Sequence, residues 1–132
     1  MDGDILVSVL RSEGMKLTLP LPPNRANARE HWTVTWKKKT EYYTIARNAL
    51  FAQRPAAPPE TRMRLSSTLY LWAKMDQGNL VARLKWLEDS LVNFGLLVDD
   101  SEKWLDLQMP KQVIDRKNMR VEIELVPCEG EE

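Results

Sequence analysis

The residue pattern predicts a small α/β domain of the α+β type, a mixed β-sheet with two packed helices in the order β(β)-α-β-α-β-β. Three observations carry this. Apolar residues recur at helical spacing over Thr35 to Gln53 and Leu80 to Val92. They alternate as in strands over Arg64 to Ala73, Trp104 to Met109 and Arg120 to Leu125. The segments between them hold prolines, Asn and Asp, which favour turns.

Taken in order, Ile5 to Leu10 and Met15 to Leu19 are short strand-like runs joined by Arg11-Ser12-Glu13-Gly14, so a hairpin is expected. Pro20 to Asn27 is loop, because its three prolines remove ladder donors. In the first helix Tyr42, Tyr43, Ala46, Ala49 and Leu50 share a face, opposite Lys37, Glu41 and Asn48. Arg54-Pro55-Ala56-Ala57-Pro58-Pro59 ends it. The next strand sets Leu65, Ser67, Leu69, Leu71 and Ala73 on one face, and Ser66, Thr68, Tyr70 and Trp72 on the other. Apolar residues on both faces towards its end mark it as central. In the second helix Leu80, Leu84, Leu87 and Leu91 fall within roughly 60° of one another, a core-facing stripe. Asn79 is the expected N-cap, and Gly95 lies just past the C-terminal end. Asp115-Arg116-Lys117-Asn118 supplies the last turn.

The 132 residues suit one domain, with residues 1–14 as an extension or extra strand and 127–132 as an acidic tail. A hydrophobic content of 43% against 29% charged residues excludes the disordered class. The single Cys128 excludes a disulfide framework and reads as a reducing, cytoplasmic setting. No apolar run approaches the ~18 residues of a membrane helix, and acids precede the short N-terminal apolar run, unlike a signal peptide.

Net charge is zero but unevenly spread. Lys16 to Arg64 holds ten Lys/Arg against three Glu, and Trp86 to Glu132 holds twelve Asp/Glu against five Lys/Arg. Such asymmetry is either an uneven solvated surface or a basic footprint for nucleic acid beside an acidic centre.

Candidate chemistry gathers between Asp76 and Asp100. Asp76 leaves the central strand, where α/β folds place functional loops. Lys85 and Asp89 project from one helix face, as a surface ion pair or as part of a site. Asp99 and Asp100 repel each other unless a cation lies nearby, and hard divalent ions prefer such oxygen ligands; a capped helix-to-strand turn is the plainer alternative. His31 is the only histidine, which rules out a two-histidine zinc site. It reads as a packed or phosphate-facing loop residue, with a general base as the alternative. No phosphate-binding glycine loop or nucleophile motif is present.

Leu17-Thr18-Leu19-Pro20-Leu21-Pro22-Pro23-Asn24, then Asp76-Gln77-Gly78-Asn79-Leu80, Lys85, Asp89, Leu91, Gly95, Asp99 and Asp100 together resemble the RusA family of Holliday-junction resolvases. These are small homodimeric endonucleases of phages and prophages. The similarity spans Lys16 to Val126 and implies a RusA-like fold. The family pattern is a D-x-D-N-L stretch, a helical lysine, D-x-L, a glycine and a D-D pair. The two aspartates of D-x-D and the second of D-D form its magnesium site. Carried over, Asp76 and Asp100 are metal ligands and catalytic residues, with Lys85 catalytic and Asp99 an adjoining ligand. Position 78 is Gly where the family has its third acid, and Asp89 is a possible substitute ligand.

The resemblance implies a structure-selective endodeoxyribonuclease that resolves Holliday junctions in recombination and repair. Its cofactor is Mg²⁺, with Mn²⁺ as a possible replacement, and it acts as a homodimer in the cytoplasm of a bacterial or phage-infected cell. Arg25, Arg29, Lys37, Lys38 and Lys39 are the expected DNA contacts. Two other readings stay open: an impaired homologue that binds branched DNA without efficient cleavage, and an interaction domain that never touches nucleic acid.

Overall fold

Strict alternation makes Met63–Leu71, strand β2, the middle of the sheet, and its side chains alternate between buried and half-buried along the whole length. The computed structural model describes residues 14–24, 29–55 and 60–128. The strand expected over Ile5 to Leu10, Arg25, and residues 129–132 of the expected tail lie outside the described residues; the first two tail residues are ordered, Pro127 ending a strand and Cys128 being buried with its N–H donated to the Arg62 carbonyl.

Strand β1 (Met15–Leu19) opens the described chain and α1 (Trp32–Gln53) follows it. After β2 come α2 (Gln77–Arg83) and α3 (Lys85–Phe94), then β3 (Leu105–Leu107), β4 (Lys111–Ile114) and β5 (Arg120–Pro127). The result is the expected mixed α/β fold. The sheet runs β1-β5-β2-β3, with β4 also paired to β2. β5 is antiparallel to both β1 and β2, whereas β3 and β4 run parallel to β2.

One sheet face is apolar. Leu17, Leu19, Leu65, Leu69, Leu71, Val121, Ile123 and Leu125 form a single buried cluster with Tyr42, Ala46 and Leu50 of α1 and with Leu80, Leu84, Leu87 and Leu91 of α2 and α3. Both helical segments therefore cover the same face. The other face carries Lys16, Thr18, Ser66, Thr68, Glu122 and Glu124 around a shallow concavity of about 810 Å³. Towards its end Arg120 lies over the Tyr70 ring, 3.7 Å from the centroid, and Arg116 lies over Trp72. The aromatic end of β2 is thus covered by guanidinium groups, not by a helix.

Three expectations need correction. The first helix starts at Trp32, three residues early, because His31 caps it: Thr33 N–H donates to His31 Nδ1. The second helix starts at Gln77 and is interrupted at Leu84, giving α2 and α3. The strand expected over Trp104 to Met109 is shorter, Leu105–Leu107, and beyond Pro110, which has no N–H to give the ladder, an unexpected strand β4 pairs the next stretch of β2. The turn expected over Asp115 to Asn118 is present, and it joins β4 to β5, which each pair with β2. The connection passes over the end of β2, where Arg116 Nε donates to the Trp72 carbonyl.

Side-chain amides hold two joints. Gln53 accepts from Thr18 N–H and donates to the Thr18 carbonyl, clipping the end of α1 to edge strand β1. Gln112 does the same for both backbone groups of Met75. That second clip fixes the residue immediately before Asp76.

Candidate functional site

The chain leaves β2 at Leu71 and reaches α2 through Met75 and Asp76. Asp76 is extended (φ −74°, ψ 162°), and its Oδ1 accepts the Asn79 N–H at 2.9 Å. Asp76 is therefore the N-cap, and Asn79, expected in that role, occupies the third helical position. The reason is the earlier helix start: a short carboxylate reaches the N–H three residues on. Asn79 Nδ2 donates to Asp76 Oδ2 at 3.1 Å, so both carboxylate oxygens are engaged. Arg83 ties this corner to the proline loop, donating to the Pro22 carbonyl at 2.6 Å while touching Met75 Sδ.

Gly78 lies in the first turn of α2. A Cβ added there meets only Asp76 Oδ1, at 3.7 Å, an ordinary contact. The space for a side chain is present, and its carboxylate is not.

A second centre forms where α3 begins. Lys85 Nζ pairs with Asp89 Oδ1 at 3.2 Å, one turn along the helix, and also contacts Asp100 Oδ2 in the loop after α3. From α1, Lys39 Nζ approaches Asp89 Oδ2 to 3.8 Å, and Tyr43 Oη donates to the same oxygen at 3.3 Å. Residues 39, 43, 85, 89 and 100, remote in sequence, thus meet at one place. The hydrogen bond from Lys85 holds the Asp100 carboxyl below the usual carboxylate range, and its bond to Asp100 raises the Lys85 ammonium in turn. Both stay charged across physiological pH.

Beneath this cluster lies Glu88, buried on α3 at 8% exposure. Burial pushes its carboxyl up to about 7, with Asp100 and Asp89 adding to the rise and Lys85 opposing it. Sequence reasoning passed over Glu88. The available signal was its place three residues after Lys85, beside the leucine stripe rather than opposite it.

Asp99 is exposed and flanks Asp100 in the same loop. Lys37 is exposed on α1, Lys38 pairs with Glu30 at 2.8 Å, and Arg29 is exposed before the helix. Asp76 stands nine residues before Lys85, at the start of α2 and on the other side of the interruption at Leu84. The described residues hold no group of three His, Cys, Asp or Glu side chains placed to bind one metal ion. The donors that are present are all carboxylate oxygens, the type magnesium takes, and one or two of them suffice when water and phosphate complete the shell. Asp89 and Asp100 already meet around a single positive charge, the Lys85 ammonium.

No described helix is long and apolar enough to cross a membrane. No family model matches the chain, and no curated protein matches it either.

Proposed function

We propose that this domain is a RusA-like, structure-selective endodeoxyribonuclease that acts on branched DNA such as four-way junctions, as a homodimer, in the cytoplasm of a bacterial or phage-infected cell. The observation that supports it is the meeting of Lys85, Asp89 and Asp100 beside the basic face of α1. Those three residues belong to the motif set of the resemblance. Lys85 and Asp89 lie one helical turn apart, and Asp100 joins them from the loop fifteen residues after Lys85.

Each part has a physical task. Lys37 and Lys39, with Arg29, offer cations to the phosphate backbone and bring it towards an acidic centre that would otherwise repel it. Lys85 neutralises Asp89 and Asp100 and is placed to stabilise charge that develops on a phosphate oxygen. Asp100, with Asp99 and Asp89 as the acids beside it, would hold Mg²⁺ or Mn²⁺, and Asp76 at the start of α2 is the further ligand that the resemblance implies. A bound divalent ion supplies an activated water and charge stabilisation for phosphodiester hydrolysis. A two-fold dimer presents two equal sites to two symmetry-related strands.

One observation favours a second reading, in which the domain binds branched DNA and cuts it poorly. Position 78 contributes no carboxylate, and both oxygens of Asp76 are engaged by Asn79. Cleavage of a synthetic four-way junction in Mg²⁺ decides between them, with binding measured in parallel in EDTA. Slow, paired nicking that disappears in Asp100→Asn with binding retained supports the nuclease. Gly78→Asp is expected to raise the rate by up to about 10²-fold, since a lost charge-stabilising group costs on that order. Tight binding with no nicking, in Mg²⁺ or Mn²⁺, supports the second reading. Absence of salt-sensitive DNA binding overturns both.

A further inference from the structure

Helix α1 begins with two large aromatic side chains that stand exposed among the described residues: Trp32 at 71%, with the His31 ring tilted beside it at 5.7 Å, and Trp36 at 64%. A tryptophan left in water forgoes the burial that normally accounts for its presence. Spaced by four residues, the two lie one above the other on the helix. With 100° per residue, Trp32, Trp36, Tyr43 and Arg47 fall within roughly 60° of one another. Tyr43 and Arg47 in turn line a groove of about 580 Å³ between α1 and α3, closed at its far end by Phe51 and Phe94 in edge-to-face contact. The tryptophans thus stand on the same side of α1 as Tyr43 and Arg47 of that groove, nearer the start of the helix, and Tyr43 joins the groove to Asp89.

We infer that Trp32 and Trp36 form a stacking ledge for unpaired DNA bases, leading a single strand along α1 towards the Lys85 cluster. The inference rests on the reading of the domain as a branched-DNA protein and names the part of the branch that it grips. Charge complementarity selects the occupant. Arg29 and Lys37 flank the ledge, are exposed, and form no ion pair among the described residues, and Arg47 lies over the Phe51 ring within the groove. Aromatic faces interleaved with cations are what single strands need, one for the base and the other for the phosphate. The centre of an interface between two copies is instead depleted in lysine. Spacing separates single strand from duplex. Trp32 and Trp36 are about 6 Å apart along the axis, nearly twice the ~3.4 Å step within a duplex strand. The ledge therefore accepts bases that are already unstacked, as at a branch point.

Fluorescence anisotropy in EDTA tests this with three labelled probes: an oligo-dT ten-mer, a blunt duplex and a four-way junction. Trp32→Ala/Trp36→Ala is expected to weaken binding to the ten-mer and the junction by tenfold or more, with the duplex changed less than twofold. Trp32→Phe/Trp36→Phe is expected to restore most of it, because a ring remains. Circular dichroism melting controls for folding, and both side chains are exposed enough to leave the core intact. Equal loss on all three probes, or no loss, overturns the ledge while DNA binding itself stands. If the natural protein binds none of the probes, the ledge and the proposed function fall together. Conversion of a dimer to a monomer by the alanine pair, seen in sedimentation, also overturns it and assigns the tryptophans to a second copy.

Discussion

Replacing Glu88 with glutamine is expected to stabilise the protein at pH 8 and to change little at pH 5. The carboxyl is buried on α3, and its protonation midpoint is raised from 4.5 to about 7, chiefly by burial. The folded state therefore binds this proton more tightly than the unfolded chain does. Below about pH 4.5 the group is neutral in both states and costs nothing. Between pH 4.5 and 7 the unfolded chain ionises first, so stability falls as pH rises, and above 7 the loss is complete. At about 1.4 kcal/mol for each pH unit, the full interval is worth about 3 kcal/mol. Glutamine keeps the shape and removes the ionisation. Urea titrations of the natural protein and Glu88→Gln at pH 5 and pH 8, followed by circular dichroism, measure the difference directly. The variant is expected to gain about 2–3 kcal/mol at pH 8 relative to its difference at pH 5. A difference that does not change with pH, or a variant that is less stable at pH 8, refutes the account of Glu88 as a buried, discharged acid.

Other expectations follow from single observations. Ser67 sits in the core with its Oγ unpartnered among the described residues, so Ser67→Ala is expected to raise stability by about 1 kcal/mol in the same titration. Leu84 is wholly buried at the interruption between α2 and α3; Leu84→Ala is expected to cost about 3–5 kcal/mol, and a loss below about 1 would mean the joint repacks freely. DNA affinity is expected to fall tenfold or more between 50 and 200 mM salt, by anisotropy, for a handful of phosphate contacts. Lys37→Glu is expected to weaken all DNA sequences alike. Light scattering at micromolar concentration is expected to give a dimer, and a monomer there counts against two-fold assembly.

The elements were legible in the sequence where one periodicity ruled. β2 alternates cleanly and emerged as central, and the leucine stripe from Leu80 to Leu91 faces the core as its spacing required. Boundaries were less legible because short-range chemistry sets them. A histidine cap added three residues to α1, and Asp76 rather than Asn79 begins α2. The break at Leu84 leaves no mark in a wheel, since both halves keep their leucines on one side. Of the candidate site, the pairing of Lys85 with Asp89 was readable from four-residue spacing. Its link to Asp100 was suggested only by resemblance, for no periodicity relates a helix to the loop beyond it. Lys39, Tyr43 and Glu88 were invisible as partners, because their roles depend on how α1 packs across α3.

β5 pairs along one side with β1 and along the other with β2, yet among the described strands it is the last to be made. Met15 is matched with Leu125, so the earliest described strand cannot enter the sheet until the final one has emerged. On a ribosome, α1, β2, α2 and α3 are exposed first, with the leucine face of β2 lacking its longest neighbour. Closing a loop of this length before any ladder contact forms slows folding, and mixed and β-rich topologies of high contact order fold in milliseconds to seconds. A nascent chain stalled before Arg120 would hold β1 and β2 apart and leave both open to chaperones or to other chains. Completion of the sheet is therefore coupled to the emergence of β5.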